Sequence, residues 1–178
     1  MNTQQEFIEY LLYIANRCPN ITLTKLYKFF WFANLEYAER YGSLMVKDVF
    51  IKKKFGPVPE EGKDYIDMVR EMPNQEDENI KLVFKQETYI SIFIKAKRAE
   101  NPDYFTDAEK EVLDAIITKY GRTSATEISD LSHDTAWNEA DMHRKVDITK
   151  DIKKREFVDV IREQYDDVVF VKQMRTYA

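Results

Sequence analysis

The fold of this chain is decided by residues 24–42, which read TKLYKFFWFANLEYAERYG, and by residues 55–59, which read FGPVP. The first stretch predicts a helix of about five turns. Six aromatic residues lie between Tyr27 and Tyr37 in this helix. One buried face does not require so many rings, so we expect some of them to pack under another element or to contact a partner.

Helical spacing assigns the side chains of this helix to a buried and a solvated side. At about 100° per residue, one narrow arc forms a core stripe, and it contains Leu26, Phe30, Ala33, Tyr37 and Tyr41. The stripe is widened on one flank by Tyr27, Trp31, Leu35 and Ala38. The opposite side is charged and carries Lys25, Lys28, Glu36, Glu39 and Arg40. Phe32 lies among these charges, so either a neighbouring element covers it or it serves as a binding anchor.

Several short motifs follow one another along the chain. The first half contains Lys25-Leu26-Tyr27, then Tyr41-Gly42, then Phe55-Gly56-Pro57-Val58. The second half contains Tyr120-Gly121, the segment Ser124-Ala125-Thr126-Glu127, Leu131-Ser132-His133 and Trp137. In order and spacing these motifs resemble the Panacea antitoxin domain family. The resemblance covers most of residues 5–140 and does not extend to residues 145–178.

The resemblance defines a core at about 5–140 and leaves a C-terminal extension at about 145–178, within the one domain over residues 1–178 that the chain length favours. It also implies a bacterial, prophage-associated protein of a toxin-antitoxin system that neutralises a cognate protein toxin by direct binding. The residues that match the family motifs are expected to be mainly structural: Lys25, Leu26, Tyr27, Gly56, Pro57, Val58, Ser132, His133 and Trp137.

Neutralisation by contact requires an interface of roughly 1,600 Å² with a few aromatic anchors. We expect Trp31 and Phe32 to be the anchors, with Lys28 and Glu36 as charges at the rim. The alternative function is a proteolytic adaptor that delivers the toxin to an ATP-dependent protease. A regulator with another target fits the same surface.

Composition agrees with a compact intracellular domain, because 178 residues suit a single core. The net charge of −5 provides no field that would attract a phosphate backbone, so we expect no direct contact with nucleic acid. Cys18 is the single cysteine, which suggests a buried thiol in a reducing compartment. No segment resembles a signal peptide or a membrane span, so we expect a cytoplasmic protein.

The remaining patterns predict an α+β fold, predominantly α-helical, in which a helical bundle carries a small antiparallel sheet. Residues 80–84 and 89–94 are typical of a hairpin with its turn at 86–88, and the extended run 46–55 is expected to add a third strand. Helices are predicted before Pro19, from Pro59 to about Met72, and after capping boxes at Thr106 and Ser124. Residues 153–165 predict a further helix, and residues 168–171 a last strand.

An enzymatic function is the minority interpretation. His133-Asp134 resembles the central dipeptide of one class of metal-dependent phosphohydrolases, and Asp141 and His143 follow it. That class needs a further upstream histidine, whereas this chain has two histidines in all. Four glycines without a cluster exclude a P-loop or a dinucleotide fingerprint. We therefore expect no catalytic residues, cofactor or metal, and expect His133 and Trp137 to pack against the bundle, with an acceptor for the Trp137 indole if it is buried.

Overall fold

The computed structural model describes residues 3–86 and 90–176. Seven α-helices in these ranges, with short strands between them, confirm the predicted predominantly helical α+β class. The helices are α1 (Thr3–Arg17), α2 (Leu23–Tyr41), α3 (Glu60–Glu71), α4 (Asp107–Tyr120), α5 (Ala125–Leu131), α6 (Thr135–Glu139) and α7 (Arg155–Thr176). The strands are β1 (Ile21–Thr22), β2 (Phe50–Lys53), β3 (Gly56–Pro59), β4 (Ile80–Gln86) and β5 (Ile90–Ala96). Short 3-10 turns lie at Pro73–Gln75, Pro102–Tyr104 and Ile148–Asp151.

The aromatic helix α2 lies at the centre of the core. The Thr22 hydroxyl accepts a hydrogen bond from the Lys25 amide and caps the first turn, while Gly42 ends the helix in the left-handed region at φ 64°. Helices α4 and α5 and strand β3 all pack against α2. Because these neighbours cover more than one side of α2, both Phe29 and Trp31 are completely buried.

Two separate antiparallel sheets replace the single three-stranded sheet that the sequence predicts. The predicted hairpin is confirmed as β4 and β5, but its third strand is β1, through the pairs Ile21↔Ile94 and Thr22↔Phe93. The run before Gly56 pairs instead with the residues that follow it, as β2 and β3. Gly56, at φ 101°, lets the chain turn back directly after Phe55, which is why this run forms its own hairpin. Residues 87 and 88 of the predicted turn lie outside the described residues.

Capping chemistry sets the starts of two helices as the sequence predicts. At α4, Thr106 and Glu109 form a reciprocal capping box, and at α5, Ser124 and Glu127 do the same. Helix α4 ends at Tyr120, and the chain turns within four residues into α5. These two helices form one wall beside α2.

The C-terminal segment is one continuous helix, so the predicted strand at residues 168–171 is wrong. Within α7 the side chains of Ile161 and Tyr165 are buried against the rest of the protein. Further along, Lys172 forms an ion pair with Glu60 at 2.7 Å. These tertiary contacts outweigh the strand preference of a short valine-rich run. Neither α7 nor any other described helix has the length and apolar character needed to cross a membrane.

Candidate functional site

The residues of the family motifs converge on Gly56. A Cβ atom at this position would clash with the Ser132 hydroxyl and would lie 2.6 Å from Cε of Lys28. The Lys28 ammonium donates a 2.7 Å hydrogen bond to the carbonyl of Pro57. We call Lys28, Gly56, Pro57, Ser132, His133 and Trp137 the motif cluster. Close approach at Gly56 joins α2, β3 and the end of α5 into one packed unit.

Two serines complete this junction. The Ser129 hydroxyl donates a 2.7 Å hydrogen bond to the carbonyl of Phe55, and the Ser132 hydroxyl donates one of the same length to the carbonyl of Ser129. Both serines are buried, so each hydrogen bond satisfies a polar group that is removed from water. Helix α5 is thereby tied to the turn between β2 and β3.

Lys28 does not form a rim charge, and that prediction is wrong. Its side chain is only 1% exposed, because β3 and α5 cover the flank of α2 on which helical spacing places it. Burial lowers the pKa of Lys28 to about 7. The residue therefore belongs to the interior, where its aliphatic stem packs beside Gly56.

His133 and Trp137 pack against each other. Their rings stack with centroids 3.8 Å apart, and the Trp137 indole donates a 3.0 Å hydrogen bond to the carbonyl of Lys53. The Lys52 ammonium lies 4.1 Å from the centroid of the Trp137 ring. Burial lowers the pKa of His133. Trp137 thus attaches α6 to β2, and its half-buried indole has a backbone acceptor.

Trp31 is completely buried, so it cannot serve as a surface anchor in this fold. Its ring meets Phe50 edge to face at 5.2 Å. Its indole nitrogen donates a 2.6 Å hydrogen bond to Oδ2 of Asp134. The residue expected to touch a partner instead fixes the carboxylate of Asp134, which lies between His133 and Trp137 of the motif cluster in the chain.

Asp134 and Asp151 together cap the short helix α6. Oδ1 of Asp134 accepts from the Trp137 amide at 3.0 Å, and the carboxylate of Asp151 accepts from the amides of Thr135 and Ala136. Burial and then the nearby charge of Asp151 raise the pKa of Asp134 to about 6, against the hydrogen bonds that favour its charged form. Two carboxylates are thus held side by side.

An open groove adjoins this carboxylate pair, and we call it the α2–α4 groove. It has a volume of about 400 Å³. Its apolar lining consists of Phe32, Leu35, Ile116, Tyr120 and Leu131. Its charged lining consists of Glu36, Glu39, Lys119, Asp134, Asp151 and Lys153. The groove combines an apolar wall with the carboxylate pair.

Phe32 lies in the wall of this groove. Its ring stacks on Tyr120 at 4.7 Å, so a neighbouring helix covers one of its faces and the side chain is half-buried. Glu36, one turn further along α2, pairs with Arg40 at 2.8 Å. The partner-binding roles of Phe32 and Glu36 stay predictions. Of the four residues predicted to contact a partner, these two lie in the groove.

The other motif residues are structural. Leu26, Tyr27 and Val58 are buried in the core. Lys25 donates a 2.7 Å hydrogen bond from its ammonium to the carbonyl of Gly121, which joins the start of α2 to the end of α4.

The side chains considered for a metal site are dispersed. Among the described residues, no group of three or more His, Cys, Asp or Glu side chains lies close enough to hold a metal ion. His143 lies beside Lys53, with its Nδ1 3.0 Å from the lysine Nζ, and Asp134 is engaged by Trp31. His133-Asp134 thus serves packing and capping here.

Sequence reasoning missed the carboxylate pair. Asp134 precedes Thr135-Ala136-Trp137, and an aspartate at that position is a typical helix N-cap, so its capping role was detectable. Asp151 lies 17 residues further along, and nothing in the sequence pattern relates it to Asp134.

Comparison with known proteins gives one family match. No curated protein and no solved structure matches the chain. The family model described as "Antitoxin SocA-like, Panacea domain" matches residues 26–138, which is more than half of the chain and includes the motif cluster. The chain belongs to the SocA-like Panacea antitoxin domain family.

Proposed function

We propose that this protein neutralises a cognate protein toxin by direct binding in the bacterial cytoplasm, and that the α2–α4 groove is the centre of the contact surface. Family membership supports an antitoxin role. The groove is the observation that supports this position for the contact surface. At the groove, part of α2 is open to solvent next to α6, a short helix that the motif cluster holds in place.

The groove has the composition of an interface centre. Hot spots in protein interfaces are enriched in tryptophan, tyrosine and arginine in well-packed pockets, and near-neutral contacts around them exclude water. Phe32 and Tyr120 offer stacked rings, and Leu131 is 56% exposed at the groove edge. The charged residues surround this apolar wall. A toxin side chain that enters the groove would meet both kinds of surface.

The proposal favours binding over catalysis. Burial raises the pKa of the Cys18 thiol, which disfavours the thiolate that a nucleophile requires. If α5 were the recognition helix of a DNA-binding protein, it would present basic or amide groups to the bases. It presents the exposed acidic side chains of Glu127 and Asp130 instead. The net charge of −5 also disfavours a nucleic-acid target.

The test is co-expression with the protein encoded by the adjacent open reading frame. We expect that protein to arrest growth alone, and we expect growth to resume and the two proteins to co-purify when both are present. Phe32→Asp is expected to reduce affinity by at least about tenfold, because it places a charge on the apolar wall. Phe170→Asp is the matched control, since Phe170 is 60% exposed on α7 and does not line the groove.

The outcomes separate the alternatives. Equal affinity for Phe32→Asp and the unsubstituted protein would contradict the proposed position. A harmless neighbour that does not bind would contradict the proposed pairing. Rescue that disappears in a host lacking its ATP-dependent proteases would favour the proteolytic adaptor over a blocking antitoxin.

A further inference from the structure

The charge of the α2–α4 groove is unbalanced. Its charged lining contains four acidic residues and two basic ones, Lys119 and Lys153, which gives a formal charge of −2. Glu36 is partly neutralised by Arg40 on its own helix. Glu39 accepts a hydrogen bond from the backbone amide of Lys153. Asp134 and Asp151 both contribute to this net negative charge.

These two carboxylates are fixed in position and lie within hydrogen-bond reach of each other. Each accepts two hydrogen bonds from N–H groups, so neither can rotate away from the other without losing a helix cap or the Trp31 contact. A carboxylate has about four lone-pair sites, so acceptor capacity remains on each. Two like charges held together favour a cation between them or a shared proton.

The apolar wall beside the pair is aromatic on one side. Phe32 and Tyr120 stack on each other at an interplanar angle of 24°, and Leu131 closes the edge. A guanidinium is planar, stacks on aromatic rings, and offers paired donors to carboxylates, whereas an ammonium is more strongly hydrated. Arginine therefore fits this combination better than lysine does.

We propose that the α2–α4 groove receives an arginine side chain of the partner, with its guanidinium at Asp134 and Asp151 and its stem along Phe32 and Leu131. This inference rests on the proposed function, because the arginine belongs to the toxin. The rim cations Lys119 and Lys153 restrict entry to a side chain that reaches past them. Lys119 also lies 5.1 Å from the centroid of the Tyr120 ring, on the α4 side of the groove.

The first test uses a matched pair at Leu131. This side chain is 56% exposed at the groove edge, so its replacement should leave the fold intact. Leu131→Lys and Leu131→Glu remove the same apolar contact and differ in charge. With the protein encoded by the adjacent open reading frame as the probe, we expect Leu131→Lys to bind at least about tenfold more weakly than Leu131→Glu at low salt. Equal affinities would overturn the arginine proposal and leave toxin binding intact.

The second test does not depend on the toxin. The chain has two tryptophans, so its indole N–H groups give two separate NMR signals. Titration with N-acetyl-arginine amide is expected to shift the Trp31 indole signal, because that N–H donates to Asp134, and to leave the Trp137 signal nearly unchanged. N-acetyl-citrulline amide, which lacks the charge, is the control ligand. A shift that is equal for both ligands, or absent for both, would overturn the proposal.

The pH dependence has a defined sign. The groups that face the site are Glu36 and Glu39 from α2, Lys119 from α4, and Asp134, Asp151 and Lys153. The pKa of Asp134 is raised to about 6, so acidification from pH 7.5 to pH 5 protonates it and removes one of the charges that hold the guanidinium. We expect the arginine-amide response to weaken over this range. A response that strengthens on acidification would contradict the assignment.

Discussion

The motif cluster and the α2–α4 groove take side chains from successive turns along the same face of α2 and use them differently. In the cluster, Lys28 is buried against β3 and Gly56 admits no additional atom. In the groove, Phe32 is covered on one face by Tyr120 and remains partly open. Trp31 connects the two, since it packs inside and donates to Asp134 at the groove. The comparison shows that the family motifs build a scaffold, whereas neighbouring positions supply the accessible surface.

We expect the greatest loss of stability when one methyl group is added at Gly56 in the motif cluster. Gly56→Ala places a Cβ against Ser132 and Lys28, at a φ of 101° that other residues rarely adopt. We expect it to lower the free energy of unfolding by about 3 kcal/mol, as overpacking and backbone strain combine. Urea denaturation measures this, with Lys54→Ala in the same turn as the control. A loss no larger than that of the control would show that the cluster is not tightly packed.

The adjacent pair Trp31 and Phe32 tests whether the two regions differ as described. Trp31→Phe removes the indole donor and leaves the partly buried carboxylate of Asp134 less satisfied, which should cost about 2 kcal/mol of stability. It should also raise the pKa of Asp134 further, because the lost hydrogen bond favours the charged form. Phe32→Leu should cost about 1 kcal/mol, since it removes one ring stack. Denaturation and NMR titration measure both variants, and a larger loss for Phe32→Leu would reverse the assignment.

Because Lys28 is buried, we expect the free energy of unfolding to change with pH above about pH 7. Its pKa falls from an ordinary 10.5 to about 7 on folding, so between these values the unfolded chain binds more protons than the folded one. The contribution of Lys28 to the free energy of unfolding therefore rises with pH, by about 2 kcal/mol from pH 7 to pH 9. Lys28→Met should remove that rise. Parallel pH profiles of the two proteins would contradict the burial of a titrating lysine.

The smallest expected effect is on the open side. Glu36→Gln breaks a partly exposed pair with Arg40, so we expect it to change the free energy of unfolding by less than about 0.5 kcal/mol. Thermal and chemical denaturation measure this change. A loss above 1 kcal/mol would mean that the groove wall, like the motif cluster, contributes substantially to the free energy of unfolding.

Local chemistry made much of the fold predictable. The capping boxes at Thr106 and Ser124 and the glycine after α2 are sequence-local devices, and each ends or starts a helix where the pattern places it. Within the motif cluster, Lys28, Gly56 and Ser132 lie packed together, as the close approach at Gly56 shows, while a purely structural role for the motif residues stays a prediction.

The predictions from sequence were wrong where contacts with an element distant in the sequence determine the local structure. Helical spacing gives the angle of Lys28 and Trp31 around α2, but it does not reveal that β3 and α5 cover that flank. Residues 168–171 favour a strand locally, whereas ion pairs and buried positions along α7 keep them helical. The pairing of Asp134 with Asp151 depends on the path of the chain between them. The groove could therefore not be predicted, although Phe32 and Glu36 in its wall were identified.

Hydrogen–deuterium exchange would show whether a bound partner covers the α2–α4 groove. The protein would be compared alone and bound to the protein encoded by the adjacent open reading frame. We expect increased protection at residues 116–120, 131–136 and 149–153 around the groove, with little change at residues 50–59 of the β2–β3 hairpin. Protection confined to the hairpin or to α7, with unchanged exchange around the groove, would contradict it.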